Sequence, residues 1–202
     1  MSAIAVFHGM GGVYGTVKFW NASDTKREFL SHVHTKHMKS QEGVITVAIR
    51  LHGLLPGFHG IHIHEYGDLS QDNTNRDTSE KKQECCENVC LHYNPTRAQH
   101  GSFRLHGLNC HAGDLCNNVL ANKQGDATYV FQYIPGHNKM FEIEDILGRS
   151  IVVHANKDDL GVNREEDPDG SGKTGNAGAK LACAVIGRMK SLLTQQQEQN
   201  KE

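Results

Sequence analysis

The sequence lacks any apolar run near the ~20 residues that a transmembrane helix requires, so no membrane partner is expected. Its N-terminal segment also lacks a basic region followed by an uninterrupted apolar core, which argues against a signal peptide. Aromatic residues are scarce, at 6% of the chain, and the mean hydropathy is −0.54. These absences predict a soluble cytoplasmic protein of short strands and long polar loops rather than a helical bundle.

A large charge excess of either sign is missing too. Lysine and arginine number 21 against 23 acidic residues, which gives a formal net charge of −2. The molecule as a whole does not attract anions, so any steering of an anionic substrate must come from individual lysines. No nucleic-acid partner is expected. The segment Gly170-Ser-Gly-Lys-Thr174 is not a nucleotide-binding loop, because Asp167 stands where that pattern requires its first glycine.

Cysteines are too few to form a disulfide scaffold in a chain of 202 residues, since only six are present. They stand at positions 85, 86, 90, 110, 116 and 183. A chain of this length can bury one sizeable core. We therefore expect one domain over residues 1–187. A polar tail over residues 188–202 shows no strong core-facing pattern and is expected to be flexible.

What the sequence does contain is a series of short strand signals separated by glycine-rich turns. Partial alternation of apolar and polar residues predicts strands over residues 3–9, 13–20, 44–51 and 58–64. Further strands are predicted near 115–120, 127–133, 150–154 and 179–187. Eight short strands without a long amphipathic helix predict an all-β, antiparallel sandwich or barrel.

The most informative stretch is Gly57-Phe-His-Gly-Ile-His-Ile-His-Glu-Tyr-Gly-Asp68. It places His62 and His64 on one face of a strand, because alternate side chains of a strand share a face. Roughly one His-x-His is expected by chance in such a histidine-rich chain, so the motif alone is weak. More weight comes from the motifs that follow it, which are His92-Tyr-Asn-Pro, His100-Gly, His111-Ala-Gly-Asp114 and Val-Val-His154. Imidazole and carboxylate are ligands that suit copper and zinc.

Together with Gly-Asn-Ala-Gly-Ala-Lys-Leu-Ala-Cys-Ala-Val-Ile-Gly, these motifs resemble the copper–zinc superoxide dismutase family over about residues 4–187. The resemblance implies an eight-stranded antiparallel Greek-key β-barrel with long metal-site and electrostatic loops. This barrel is an immunoglobulin-like sandwich, and the copper–zinc superoxide dismutase family is a standard example of that architecture. The resemblance further implies copper and zinc as cofactors. The implied reaction is disproportionation of superoxide to dioxygen and hydrogen peroxide, an antioxidant activity based on alternate reduction and reoxidation of copper.

The resemblance also assigns metal ligands by position. The implied copper ligands are His62, His64, His92 and His154, and the implied zinc ligands are His92, His100, His111 and Asp114. His92 would bridge the two metals as an imidazolate, because zinc on one side lowers the cost of removing its second proton. Three histidines and an aspartate suit a closed tetrahedral zinc site, and four imidazoles suit tetragonal copper(II) with an open position. Asp158 matches the carboxylate that orients His62 and His100 by linking them.

Two lysines match positions that act on the substrate. Lys180 stands where the family usually has an arginine beside the copper channel, and with His92 it is the implied catalytic residue. A lysine keeps the positive charge but not the planar pair of donors, so we expect retained activity with weaker orientation of the anion. Lys173 matches the family's steering lysine.

An internal disulfide and two partners are also implied. Cys183 matches one cysteine of the family's disulfide, and Cys86, six residues before His92, is the implied partner. The adjacent Cys85 stays an alternative. A homodimer is expected through the apolar segments 146–148 and 185–187, and a copper chaperone is a further candidate partner.

Three segments, residues 21–42, 69–91 and 188–202, are longer than the family pattern. The first contains His32, His34 and His37, and we interpret it as a solvated hairpin extension rather than a second metal site. The main alternative to an enzyme is a metal-binding module of the same fold that stores or delivers copper or docks a partner. A third is a structural protein whose metals are scaffold only. The filled set of ligand positions and the charge of Lys180 favour the enzyme.

Overall fold

The computed structural model describes residues 1–24, 42–70 and 86–190. Its strands are β1 (Ser2–His8), β2 (Tyr14–Asn21), β3 (Ile45–His52), β4 (Gly57–His64), β5 (Asn117–Ala121), β6 (Ala127–Tyr133), β7 (Ser150–His154) and β8 (Lys180–Arg188). Three one-turn helices lie in the connections between strands, and they are α1 (Phe103–His106), α2 (Ile143–Ile146) and α3 (Ser171–Thr174). No helix in this part of the chain is long and apolar enough to cross a membrane.

The eight strands form a single antiparallel sheet in the order β5-β4-β7-β8-β1-β2-β3-β6. Its two end strands, β5 and β6, contact each other, and the backbone N–H of Leu120 donates to the Tyr129 hydroxyl at 2.8 Å. The sheet therefore closes almost completely into a barrel, which removes most of its exposed edge. The neighbours β4–β7 and β8–β1 are distant in sequence, as a Greek-key arrangement requires. The predicted all-β fold is confirmed.

Alternation along β4 explains why this strand carries both core and site. Ile61 and Ile63 point into the barrel and are fully buried with the side chains of the opposite strands. His62 and His64 point to the other face, yet they are also buried, with exposed fractions of 0% and 2%. The outer face of β4 is therefore covered by the long loops that follow it in the chain. His62 and His64 lie in a buried layer between the barrel wall and these loops.

The predicted strand positions agree with the structure to within two residues at each end. β8 continues through Arg188, one residue beyond the predicted end of the domain. Residues 25–41, 71–85 and 191–202 lie outside the described residues. The interpretation of His32, His34 and His37 falls there, as does most of the predicted tail.

Candidate metal centre

Four histidines meet above the outer face of β4. His62 and His64 come from β4 itself, and His154 ends the adjacent strand β7, which pairs with β4 through Ile61 and Val153. His92 arrives on a loop segment that forms an isolated antiparallel bridge with His64. The backbone N–H of Tyr93 donates to Ile63 O at 2.8 Å, so the loop is fixed to the strand beside the histidines.

Some ring nitrogens of these four residues are hydrogen-bonded to backbone carbonyl groups, and others are left to bind a metal. His64 Nδ1 donates to Cys90 O at 2.8 Å and His154 Nδ1 to Gly178 O at 3.1 Å. Their Nε2 atoms face each other 3.3 Å apart. His62 Nδ1 and His92 Nε2 are buried and have no hydrogen-bond partner among the described residues. Buried polar atoms are almost always bonded, so two orphaned imidazole nitrogens beside two facing ones fit a transition-metal site.

A second group uses the other nitrogen of His92. Nδ1 atoms of His92, His100 and His111 lie 2.9, 2.9 and 3.1 Å from Asp114 Oδ1. The second oxygen of Asp114 accepts from the backbone N–H groups of Gly101 and His111, both at 3.0 Å. Three nitrogens and one oxygen in a buried, closed arrangement suit zinc. His92 thus presents one ring nitrogen to each group, which is the geometry of a bridge.

Asp158 connects the two groups by a hydrogen bond to one histidine of each. Its carboxylate accepts from His62 Nε2 at 2.6 Å and from His100 Nε2 at 3.0 Å, with no exposed surface on any of the three side chains. The backbone N–H of Leu160 and the Asn117 amide also donate to it, at 2.6 and 3.3 Å. Such outer contacts fix the tautomer and direction of imidazoles that bind metals.

The ionisation of these groups agrees with metal binding. Burial lowers the pKa of His62 to about 4, of His92 to about 3 and of His154 to about 4, so their lone pairs are available at neutral pH. Burial also acts against the charged form of His100, but hydrogen bonds to Asp114 and Asp158 dominate and raise its pKa to about 10. Zinc binding must therefore displace a proton from His100.

The four-imidazole group opens onto a cavity of about 280 Å³. The lining residues are His64, Cys90, Leu91, His92, His154, Thr174, Asn176, Gly178 and Lys180. Lys180 Nζ donates to Cys86 O at 3.2 Å and to Cys90 O at 3.0 Å, and the second of these carbonyls also accepts from His64 Nδ1. The Lys180 ammonium on the cavity wall and the candidate copper ligand His64 therefore share the Cys90 carbonyl as their hydrogen-bond acceptor. Lys173 is exposed on α3 and does not line the cavity, although its neighbour Thr174 does.

The structure pairs Cys86 with Cys183 in a disulfide across 97 residues of sequence. Cys85, the alternative partner, lies outside the described residues. Cys90, Cys110 and Cys116 are free thiols.

Several contacts that shape the centre were missed by the sequence analysis. His59 Nδ1 is 2.9 Å from His154 O and its Nε2 is 2.8 Å from Leu55 O, so this buried side chain ties the end of β7 to the turn before β4. A histidine in phase with Ile61 and Ile63 on the core face of β4 was a usable signal for it. The carbonyl groups of Cys90 and Gly178 left no signal, because any residue supplies a carbonyl.

Comparison with known proteins agrees with this geometry. A family model described as copper/zinc superoxide dismutase (SODC) matches residues 13–186. The chain belongs to the copper/zinc superoxide dismutase family. Copper and zinc are therefore the cofactors of this fold, and the two histidine groups have the donor sets that suit them.

Relatives in this family carry two kinds of name. The chain is 35% identical over 196 residues to "Superoxide dismutase [Cu-Zn]" of Paramecium bursaria Chlorella virus 1, covering 94% of this chain and 80% of that protein. It is 35% identical over 191 residues to "Copper chaperone for superoxide dismutase" of Rattus norvegicus, covering 95% of this chain and 54% of the relative. The chain thus spans about half the length of the chaperone. Among solved structures, the clock protein EA4 is similar with a TM-score of 0.65 and 29% identity, over 93% of this chain and 94% of that one.

Proposed function

We propose that this member of the copper/zinc superoxide dismutase family is a superoxide dismutase, which converts two superoxide anions and two protons into dioxygen and hydrogen peroxide. One observation carries the proposal. The four-imidazole group opens onto a cavity whose wall bears the Lys180 ammonium, so a small anion can reach the ligand nitrogens under the attraction of a positive charge. A site that held a purely structural metal would need neither the opening nor the charge.

The donor atoms follow from the anchoring described above. Copper would be held by Nδ1 of His62 and by Nε2 of His64, His92 and His154. Zinc would be held by Nδ1 of His92, His100 and His111 and by Oδ1 of Asp114. When bound, copper supplies one-electron redox chemistry and zinc supplies a fixed positive charge beside His92.

The side chains of the cavity attract, orient and protonate the substrate. Lys180 draws superoxide into the cavity by its charge, an effect for which superoxide dismutases are themselves a standard example. Lys173 adds positive charge on α3 outside the cavity. The carbonyl groups of Cys86 and Cys90 fix the ammonium of Lys180, so the anion meets a positive charge of defined position.

His92 Nε2 is the atom that holds a proton between the two halves of the reaction. In the first half, superoxide loses an electron and leaves as dioxygen, and His92 Nε2 takes up a proton. In the second half, superoxide gains an electron, His92 Nε2 gives its proton to the reduced oxygen species, and solvent supplies the second proton of hydrogen peroxide. The fixed positive charge of zinc on Nδ1 of His92 would favour release of that proton from Nε2.

A second candidate function is copper delivery, because a relative that covers nearly the whole chain is named a copper chaperone. A superoxide-decay assay on protein of measured copper content separates the two functions. Many turnovers for each copper ion support the dismutase. Consumption of one superoxide for each copper ion would refute the dismutase and favour a copper-binding module.

We also propose that the protein forms a homodimer. The two apolar segments expected at the interface are adjacent, because Gly148 N–H donates to Ile186 O at 2.9 Å. Ile146 and Ile186 are fully buried in the barrel core, so the accessible groups of these segments are Val185, with 40% exposure, the partly buried Leu147 and the glycine backbones. Sedimentation as a monomer at micromolar concentration would contradict the dimer. The cytoplasmic location and the copper chaperone as a loading partner stay predictions.

A further inference from the structure

Three sulfur atoms meet beside β8, outside both histidine groups. Met10 Sδ lies 3.6 Å from Cys86 Sγ and 3.5 Å from Cys183 Sγ, and the two cysteines are joined as a disulfide. Both cysteines are more than nine-tenths buried. The apolar side chains packed around this sulfur cluster are Leu69, Val89 and Val152. The dismutase reaction proposed above makes no use of this cluster.

The position of Met10 is set by the turn between β1 and β2. Met10–Gly12 form a single 3-10 turn, and Gly11 adopts a positive φ of 57°. A Cβ atom at Gly11 would collide with the backbone carbonyl of Leu181. Glycine at this position therefore lets the turn pack against β8 two residues before Cys183, and the neighbouring methionine reaches the disulfide.

We propose that reduction of the Cys86–Cys183 bond creates a three-sulfur binding site for copper(I), formed by the two thiolates and the Met10 thioether. A phosphine reductant gives two electrons to the disulfide and becomes a phosphine oxide by taking an oxygen atom from water, and the two water protons yield two thiols. Copper(I) then displaces both thiol protons and keeps its oxidation state. Thiolate and thioether sulfur are the soft ligands that select copper(I).

The sulfur atoms are held in place by main-chain contacts that do not depend on the disulfide. Cys183 lies within β8 opposite Val152 of β7. The Cys86 carbonyl accepts from Lys180 Nζ, and the loop after it is bonded to the segment that follows β4, because Tyr66 N–H donates to Val89 O at 3.2 Å. The two thiolates therefore stay close after the disulfide opens.

Spacing and charge suit one monovalent ion. A metal about 2.3 Å from each of three sulfurs separates those sulfurs by about 4 Å. Met10 Sδ is already 3.5–3.6 Å from both cysteine sulfurs, so its own shift is small, and the two cysteine sulfurs must move apart once their bond is reduced. Two thiolates and copper(I) carry a net charge of −1, which the Lys180 ammonium on the Cys86 carbonyl offsets. Lys180 also donates to Cys90 O, which accepts from His64 Nδ1 as well. The Lys180 side chain therefore connects the sulfur cluster to the four-imidazole group.

The experiment measures copper(I) binding by the full chain before and after disulfide reduction. Zinc is first loaded into the oxidised protein to fill both histidine groups, and unbound zinc is removed. The protein is then reduced with a phosphine under anaerobic conditions and titrated with copper(I) in competition with a chromophoric chelator. X-ray absorption at the copper edge is expected to show sulfur neighbours at about 2.3 Å in the reduced protein. The oxidised protein is expected to show none.

Methionine variants provide the matched comparison. Met10→Leu is expected to lower the copper(I) affinity of the reduced protein about tenfold, in the range found when metal-site contacts are removed. Met140→Leu is the control, because Met140 Sδ also lies near a cysteine sulfur, that of Cys110 at 4.0 Å, but outside the cluster. Cys90→Ser is expected to keep the sulfur signal. Each variant is first checked for folding by circular dichroism.

Two results would overturn the site. One is a copper(I) spectrum of the reduced protein with nitrogen neighbours only. The other is equal copper(I) affinity of the Met10→Leu and Met140→Leu variants. Neither result bears on dismutase turnover, which is measured on the oxidised, copper-loaded protein.

Discussion

Replacement of Lys180 by methionine tests the proposed function most directly. The substitution removes the cavity's ammonium group and keeps most of the side chain's length and apolar stem. A unit charge about 5 Å from an anion contributes about 3 kcal/mol at an effective dielectric constant of ~20, and below about 1 kcal/mol in bulk water. Lys180 is partly exposed, so the expected loss is about 1–2 kcal/mol. That loss corresponds to a roughly 5- to 30-fold decrease in kcat/KM.

The assay follows superoxide decay at several ionic strengths with copper content matched between proteins. At about 0.15 M salt the screening length is ~8 Å, so added salt weakens attraction of the anion from bulk solvent. The wild-type rate is expected to fall with salt, and the rate of Lys180→Met to fall less. Lys123→Met is the control, because it makes the same change in net charge on the turn between β5 and β6.

Lys180→Arg separates charge from geometry. The guanidinium keeps the charge and carries five donors in a planar fork, whereas the ammonium has three donors. This variant is expected to retain the salt dependence and to match or exceed the wild-type rate. If Lys180→Met and Lys123→Met show the same rates at every ionic strength, Lys180 neither attracts nor orients superoxide, and the role assigned to it is wrong.

Three further outcomes are expected. Asp158→Asn weakens the contacts to both histidine groups and should lower zinc affinity about 10- to 100-fold in chelator competition, and an unchanged affinity would contradict the linking role. Reduction of the Cys86–Cys183 bond should lower the free energy of unfolding of the metal-free protein by about 4–5 kcal/mol in urea denaturation, as loop-closure entropy predicts for this separation, and equal midpoints would argue against it. His59→Gln loses a contact to the carbonyl of His154, so we expect about 1–2 kcal/mol lower stability and an altered copper(II) paramagnetic resonance spectrum, whereas an unchanged spectrum would limit His59 to stability.

The barrel could be predicted from the sequence because its strands follow a period of two. In β4 the core-facing Ile61 and Ile63 alternate with His62 and His64, so one pattern indicated both the strand and the face that carries the ligands. The same reasoning worked less well for the dimer segments. Ile146 and Ile186 are apolar, and apolar residues serve a core or an interface equally, so only the fold shows that both fill the core.

The choice between two adjacent cysteines could not be made from residue types. Cys85 and Cys86 are chemically identical and one residue apart, and the path of the backbone decides which of them faces Cys183. Cys86 has a positive φ of 70°, an uncommon conformation that depends on the loop's tertiary contacts rather than on its sequence. Met10 was missed for a related reason, since its contact with the disulfide depends on the close packing of a glycine turn against β8.

Backbone hydrogen bonds, as well as the shared ligand His92, connect the segments that carry the two candidate metal sites. Tyr93 N–H donates to Ile63 O, and Gly113 N–H donates to Tyr93 O, both at 2.8 Å, so a loop segment lies between β4 and the turn that carries Asp114. A Cβ atom at Gly113 would collide with the Ile63 carbonyl, which means that only glycine allows this spacing. His92 precedes Tyr93 in the middle of the three backbone segments. It can present opposite ring nitrogens to ligands on either side because the backbone has already placed those ligands.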